Sequence, residues 1–77
     1  MNAVTLDRAP LGTPLLLTST HPDGTVARRL ASLGLRRGAR VSLLQKLTSG
    51  GRIVSVSGGR VAIGSTVLAE LEAEVAP

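Results

Sequence analysis

The sequence predicts a mainly β fold: a small, partly open barrel of about five antiparallel strands, with one short amphipathic helix inserted after the first strand. Three observations carry this. The tetrad Ser49-Gly50-Gly51-Arg52 recurs eight residues later as Ser57-Gly58-Gly59-Arg60, and a β-branched run lies between the copies. Gly-Gly between short β runs marks a hairpin, because the favoured tight turns need positive φ; two such turns give three consecutive antiparallel strands. Helical periodicity is confined to one segment, where Val26, Leu30 and Leu33 fall at i, i+4 and i+7. Finally, residues 70–75 alternate, with Leu71, Ala73 and Val75 inward and Glu70, Glu72 and Glu74 outward, as in a half-buried strand that closes the sheet onto its first strand.

Taken in order, residues 1–8 are polar and expected to be loosely held except where Leu6 anchors them, and Pro10-Leu11-Gly12 is a turn. Residues 15–20 read as the first strand, with Leu15 and Leu17 on one face and Leu16 on the other. His21-Pro22-Asp23-Gly24 is turn chemistry throughout. Thr25 or Asp23 caps the helix that follows, a helix of two to three turns that is marginal without tertiary packing. Arg28 and Ser32 point away from its apolar face, with Arg29 on the flank.

The helix runs into Leu33-Gly34-Leu35-Arg36-Arg37-Gly38, the corner around which the chain is organised. Gly34 sits where the helix stops, in the left-handed conformation a glycine adopts without a Cβ clash. Leu35 then folds back as the apolar residue that accompanies such a cap, and Gly38 opens the turn into the next strand. Residues 40–48 read as that strand. The adjacent Leu43 and Leu44 break its alternation and predict a bulge or a residue buried on both sides. Gly50, Gly51, Gly58 and Gly59 are assigned to the two hairpin turns. Val54 and Val56 share a face, and Val61 and Ile63 continue it on the third strand. Gly64 ends that strand, and Ser65 caps a single helical turn.

With 77 residues the chain is read as one domain, its core running from about residue 6 to 75. Thirteen Leu, eight Val and two Ile must fill the interior, since there is no Phe, Tyr or Trp. Such a core is modest, and weak self-association would help it. The absence of cysteine excludes disulfides, thiolate metal sites and cysteine nucleophiles. Residues 1–14 lack the basic start and apolar core of a signal peptide, and no apolar run is long enough to cross a bilayer, so a soluble, cytoplasmic protein is expected.

Nine Lys and Arg against five acids leave a net charge of +4, and Arg28, Arg29, Arg36, Arg37 and Arg40 lie close together in the chain. This asymmetry favours an acidic or phosphate-bearing partner; the plainer reading is a solvated, charge-balanced face. Without an aromatic residue no base can be stacked, which argues against single-stranded nucleic acid, while a phosphate-only attachment stays open. Catalysis is not expected. His21 is the only histidine, no nucleophile elbow frames a triad, and neither glycine pair carries the Lys-Ser/Thr of a phosphate-binding loop. His21 and Asp23 are the weak metal candidates, but two ligands on a turn do not make a site. No intrinsic metal and no cofactor are expected.

The order of these elements resembles the FeoA family, small proteins that accompany the ferrous iron transporter FeoB. The resemblance rests on L-G-T-P-L-L-L after Leu6, on R-R-L-A-S-L-G-L-R-R-G from Arg28 to Gly38, on V-S-V-S-G from Val54 and on R-V-A-I-G from Arg60. The second piece is the most specific. Position 37 departs from the family, having Arg where Pro often precedes the glycine. The resemblance implies an SH3-like barrel and a non-enzymatic accessory of ferrous iron uptake. On that resemblance the protein would dock on the cytoplasmic part of FeoB to support or regulate it, and its partner could recruit it to the inner face of the membrane. The helix and the corner would form the docking face, with Arg28, Arg29, Arg36, Arg37 and Arg40 meeting acids and Leu33 or Leu35 supplying an apolar anchor. The plainer reading makes both leucines core. The alternatives are a basic nucleic-acid-binding barrel and a FeoA-like module of the kind found in iron-dependent repressors.

Overall fold

Backbone hydrogen bonding gathers six strands into one antiparallel sheet in the computed structural model, which describes residues 3–77. The elements are β1 (Val4–Thr5), β2 (Leu15–Leu17), α1 (Gly24–Ser32), β3 (Arg40–Lys46), β4 (Arg52–Val56), β5 (Gly59–Ile63), α2 (Ser65–Leu68) and β6 (Glu72–Val75). The sheet order is β1-β6-β2-β3-β4-β5, so β6 is inserted beside β2 and the sheet stays open at β1 and β5. The domain measures 29 × 28 × 23 Å, and apolar side chains of the sheet, α1 and α2 gather in one core. Leu6, Leu15, Leu17, Leu43, Val54, Leu68 and Leu71 are nearly or fully buried there.

Several elements differ from expectation at their ends. Of the N-terminal stretch expected to be loose, Met1 and Asn2 lie outside the described residues. The rest holds β1, with Val4 opposite Ala73 and Thr5 opposite Glu72, and Leu6 N–H continues the pairing onto Leu71 O at 2.9 Å. A two-residue strand shows no alternation, so nothing in the sequence marks it. The first predicted strand, β2, ends at Leu17 instead of residue 20. Its extension still reaches β6, through Thr18 N–H to Glu72 O (2.9 Å) and Glu72 N–H to Ser19 Oγ (3.0 Å). Val75 has the parity of buried Ala73, yet it is 61% exposed at the end of β6. Gly64, not Ser65, is the N-cap residue of α2, and no side chain caps that helix.

The bulge lies in β3. Leu43 pairs with Val54 and Gln45 with Ile53, so Leu44 has no opposite residue. Leu43 is fully buried and Leu44 is 43% exposed, and the extra residue leaves Gln45 exposed as well, two outward residues in a row.

The two Gly-Gly hairpins are of different kinds. In the first, Gly50 N–H bonds Leu47 O and Leu47 N–H bonds Gly51 O, both at 2.9 Å, with Gly50 at φ +98. This is a three-residue loop closed by a glycine bulge, and it ends β3 at Lys46. In the second, the turn residues are Ser57 (φ +53) and Gly58 (φ +79), while Gly59 belongs to β5 and pairs with Val56. The turn thus sits one residue earlier than the glycine pair suggests.

Candidate interaction surfaces

Helix α1 begins at Asp23, whose Oδ1 accepts from Thr25 N–H (2.9 Å) and Val26 N–H (3.2 Å). Of the two residues able to cap, Asp23 does so because its short carboxylate reaches two of the free amides of the first turn. Leu30 is buried against the core, with Val26 partly buried beside it.

At the other end Gly34, at φ +94, turns the chain back on itself. Gly34 N–H bonds Ala31 O and Leu35 N–H bonds Leu30 O, each at 2.9 Å. These two bonds define a Schellman cap. The reversal decides the fate of the two leucines. Leu35 takes the core-facing place over Leu30 and is 3% exposed, whereas Leu33, which helical periodicity puts on the apolar face, is 43% exposed. Leu35 is therefore no surface anchor, and Leu33 is not core.

The chain next makes a tight turn over residues 36–39, closed by Ala39 N–H to Arg36 O at 3.0 Å, with Gly38 at φ +89 in its third position. That is type II geometry, which demands the glycine. Gly38 N–H to Leu17 O (2.8 Å) and Leu17 N–H to Ala39 O (2.9 Å) pin the turn to β2. The β4–β5 turn comes up against the same corner. A Cβ on Gly34 would overlap Ser57 Oγ and stand 3.2 Å from Val56 Cγ2.

This packing divides the arginine cluster. Arg36, Arg37 and Arg40 line a shallow cleft of about 480 Å³ together with Gly34, Gly38, Ala39, Val56 and Ser57. Arg29 lies elsewhere, in a groove of about 280 Å³ between α1 and the β5–α2 segment, with Val26, Leu30, Leu33, Val61, Ile63 and Val67 among its walls. Arg28 lines neither; its Nη1 lies back along the helix, 3.7 Å from where a Cβ on Gly24 would stand.

Arg52, a residue the sequence did not single out, is tied to the main chain. Its Nη1 donates to Gly50 O (2.6 Å) and Gly51 O (3.0 Å), and its Nη2 to Asp7 O (2.9 Å). The guanidinium clamps the β3–β4 turn to the segment after β1. Gly51 itself is held at close quarters, since a Cβ there would come 2.7 Å from Ile63 O.

The family model for the FeoA domain matches residues 4–75. The chain belongs to the FeoA family. Membership places it among the small accessory domains of ferrous iron transport. The FeoA of Stenotrophomonas maltophilia, crystallised with zinc and described as a prokaryotic SH3-domain protein, is 29% identical. That match covers 92% of this chain and 89% of that one, with a TM-score of 0.75. The solution structure of FeoA from Chlorobium tepidum is 25% identical over 94% of this chain and 70% of that one, with a TM-score of 0.85. A manganese-dependent transcriptional repressor shares the fold at 20% identity and a TM-score of 0.85, but this chain spans only 42% of its length. No protein of curated function matches in sequence. The fold of this FeoA domain is thus SH3-like, mainly β, with its main helix after β2.

Among the described residues no three His, Cys, Asp or Glu side chains come together to hold a metal ion. His21 and Asp23 are joined locally instead, Asp23 N–H donating to His21 Nδ1 at 3.0 Å while the Asp23 carboxylate caps α1. His21 Nδ1 and Asp23 Oδ1 are thus engaged by backbone amides. No helix among the described residues is long and apolar enough to cross a membrane.

Proposed function

We propose that this chain is a non-enzymatic accessory of ferrous iron uptake that docks on the cytoplasmic region of a FeoB-type transporter through the groove between α1 and β5. The reading is carried by Leu33, a half-exposed leucine at the end of an otherwise amphipathic helix, beside Arg29 and over an apolar floor of Val61, Ile63 and Val67. Arginine is enriched at interface centres, where it binds carboxylate bidentately, and Leu33 adds apolar area beside Arg29. Fully burying a leucine is worth about 1.5–3 kcal/mol. Leu33 is already more than half covered, so docking gains about 1 kcal/mol from it, and Arg29 and its acidic partner supply specificity.

A pull-down with the cytoplasmic region of the transporter tests this. The wild-type chain retains that region. Arg29→Glu, shown by its melting curve to be folded, loses it, while Arg8→Glu, on the exposed segment after β1, keeps it. Failure of the wild-type chain to retain the transporter region rejects the function, and retention by Arg29→Glu rejects the groove.

A further inference from the structure

We propose that the cleft at the helix-to-strand corner, lined by Arg36, Arg37, Arg40 and Ser57, binds a phosphate-rich small anion. It is a different surface from the docking groove and uses neither Arg29 nor Leu33.

Three observations converge on it. First, three guanidiniums line one cleft with no acid among its walls. The only side-chain hydrogen bond that any of them makes among the described residues is a long one, Arg40 Nη2 to Pro77 O at 3.5 Å. Second, the main-chain N–H groups of Arg36 and Arg37 find no acceptor among the described residues, although the next two amides of the turn are both bonded. Free amides next to arginines at a glycine-bearing turn are anion-binding chemistry. Third, Ser57 is the only non-glycine at positive φ among the described residues. Asn or Gly is the ordinary occupant of that turn position. Serine there brings a hydroxyl to the wall of the cleft, into the space that Gly34 leaves by having no Cβ.

Three guanidiniums and two amides offer more donors than one carboxylate accepts, whereas a phosphate accepts from several directions and matches the planar fork of arginine. The volume of about 480 Å³ exceeds one phosphate and suits a pyrophosphate or an organic phosphate. The chain has no aromatic residue, so recognition ends at the phosphates, and pyrophosphate and a nucleoside diphosphate should bind alike. The same chemistry is presented by an anionic lipid headgroup.

Position 37 provides a test that leaves the fold standing. It is the second residue of a type II turn, where proline is favoured, and the Arg37 N–H that proline removes has no acceptor. Arg37→Pro should melt no lower than wild type. Amide NMR shifts of the full chain, followed against sodium pyrophosphate at constant ionic strength, should saturate and concentrate on residues 36–40 and 57–58. The dissociation constant should rise about tenfold or more in Arg37→Pro and in Arg40→Gln, and stay unchanged in Arg60→Gln. Vesicles of phosphatidylglycerol form the second arm. Vesicle capture by wild type but not by Arg37→Pro, without saturable pyrophosphate shifts, keeps the cleft and makes the headgroup its ligand. Affinity equal in wild type, Arg37→Pro and Arg40→Gln overturns the proposal. So do shifts spread evenly over Arg8, Arg28 and Arg60, or short duplex DNA binding that pyrophosphate does not displace.

Discussion

Replacing Gly34 by alanine tests the corner that directs both surfaces. Two costs add. Gly34 has φ +94, and an L-residue in left-handed backbone pays about 1–2 kcal/mol. The new Cβ would also overlap Ser57 Oγ and stand 3.2 Å from Val56 Cγ2 and 3.3 Å from Ser57 Cβ. The hydroxyl can rotate away, but Val56 belongs to the core and its strand is fixed between β3 and β5, so the corner or the turn must yield. Crowding of this kind costs about 1–3 kcal/mol. The sum is about 2–5 kcal/mol in a chain whose whole stability, at 77 residues, is about 4–12 kcal/mol. Thermal unfolding followed by circular dichroism should therefore show Tm lowered by about 10 °C or more. Repeating the substitution in a Ser57→Gly background separates the terms. With the Ser57 side chain gone, the cost should fall by about 1 kcal/mol, while the positive-φ term remains. A Tm within 2–3 °C of wild type for Gly34→Ala (an effect of about 0.5 kcal/mol), or an identical cost in both backgrounds, would refute the packing of helix end against hairpin described above.

Other substitutions separate causes that look alike in the sequence. Gly51→Ala and Gly58→Ala both alter hairpin glycines, for different reasons. The first puts a Cβ 2.7 Å from Ile63 O and should cost about 1–3 kcal/mol through the shift it forces. The second meets nothing within 4 Å and should cost only the positive-φ term, about 1–2 kcal/mol; urea unfolding measures both. Leu43→Ala should cost about 2–5 kcal/mol, whereas Leu44→Ala, at the bulge, should stay within about 0.5 kcal/mol. Equal effects would mean that Leu44 does not face outward beside buried Leu43. Asp23→Ala should lose about 1 kcal/mol of stability and Asp23→Asn much less, since the amide oxygen still caps Thr25 and Val26.

Where a feature is local, its chemistry stands in the sequence. Gly34 followed by Leu35 announces a helix end with an apolar residue folding back, and the two bonds to Ala31 and Leu30 are that motif. The Leu43-Leu44 doublet breaks a period of two, and a bulge lies there. The β-meander follows from two glycine-bearing turns. What escaped is non-local or too short to have a period. β1 is two residues long and exists only because β6 offers it a partner. Ser57 holds positive φ as the first residue of a two-residue turn closed by the Val56–Gly59 pair, so the repeat placed that turn one residue late. Leu33 fits the helical face by count, but the cap at Gly34 unwinds the chain beneath it and hands its place to Leu35. The arginines near the corner read as one patch along the chain. Only the approach of Ser57 to Gly34 shows that Arg36, Arg37 and Arg40 face one cleft while Arg29 faces another groove. Arg52 looks like one more surface cation, and its three carbonyl partners come from two separate segments.

Docking through the α1–β5 groove is tested most directly by calorimetric titration of the transporter's cytoplasmic region with Leu33→Glu and Leu44→Glu. The two leucines are equally exposed, at 43%, and differ in which surface they occupy. A charge placed on the docking surface should weaken binding about tenfold or more, and one placed on the bulge should not. Leu44→Glu should thus bind as the wild-type chain does and Leu33→Glu should not. Equal binding by the two variants would contradict the account.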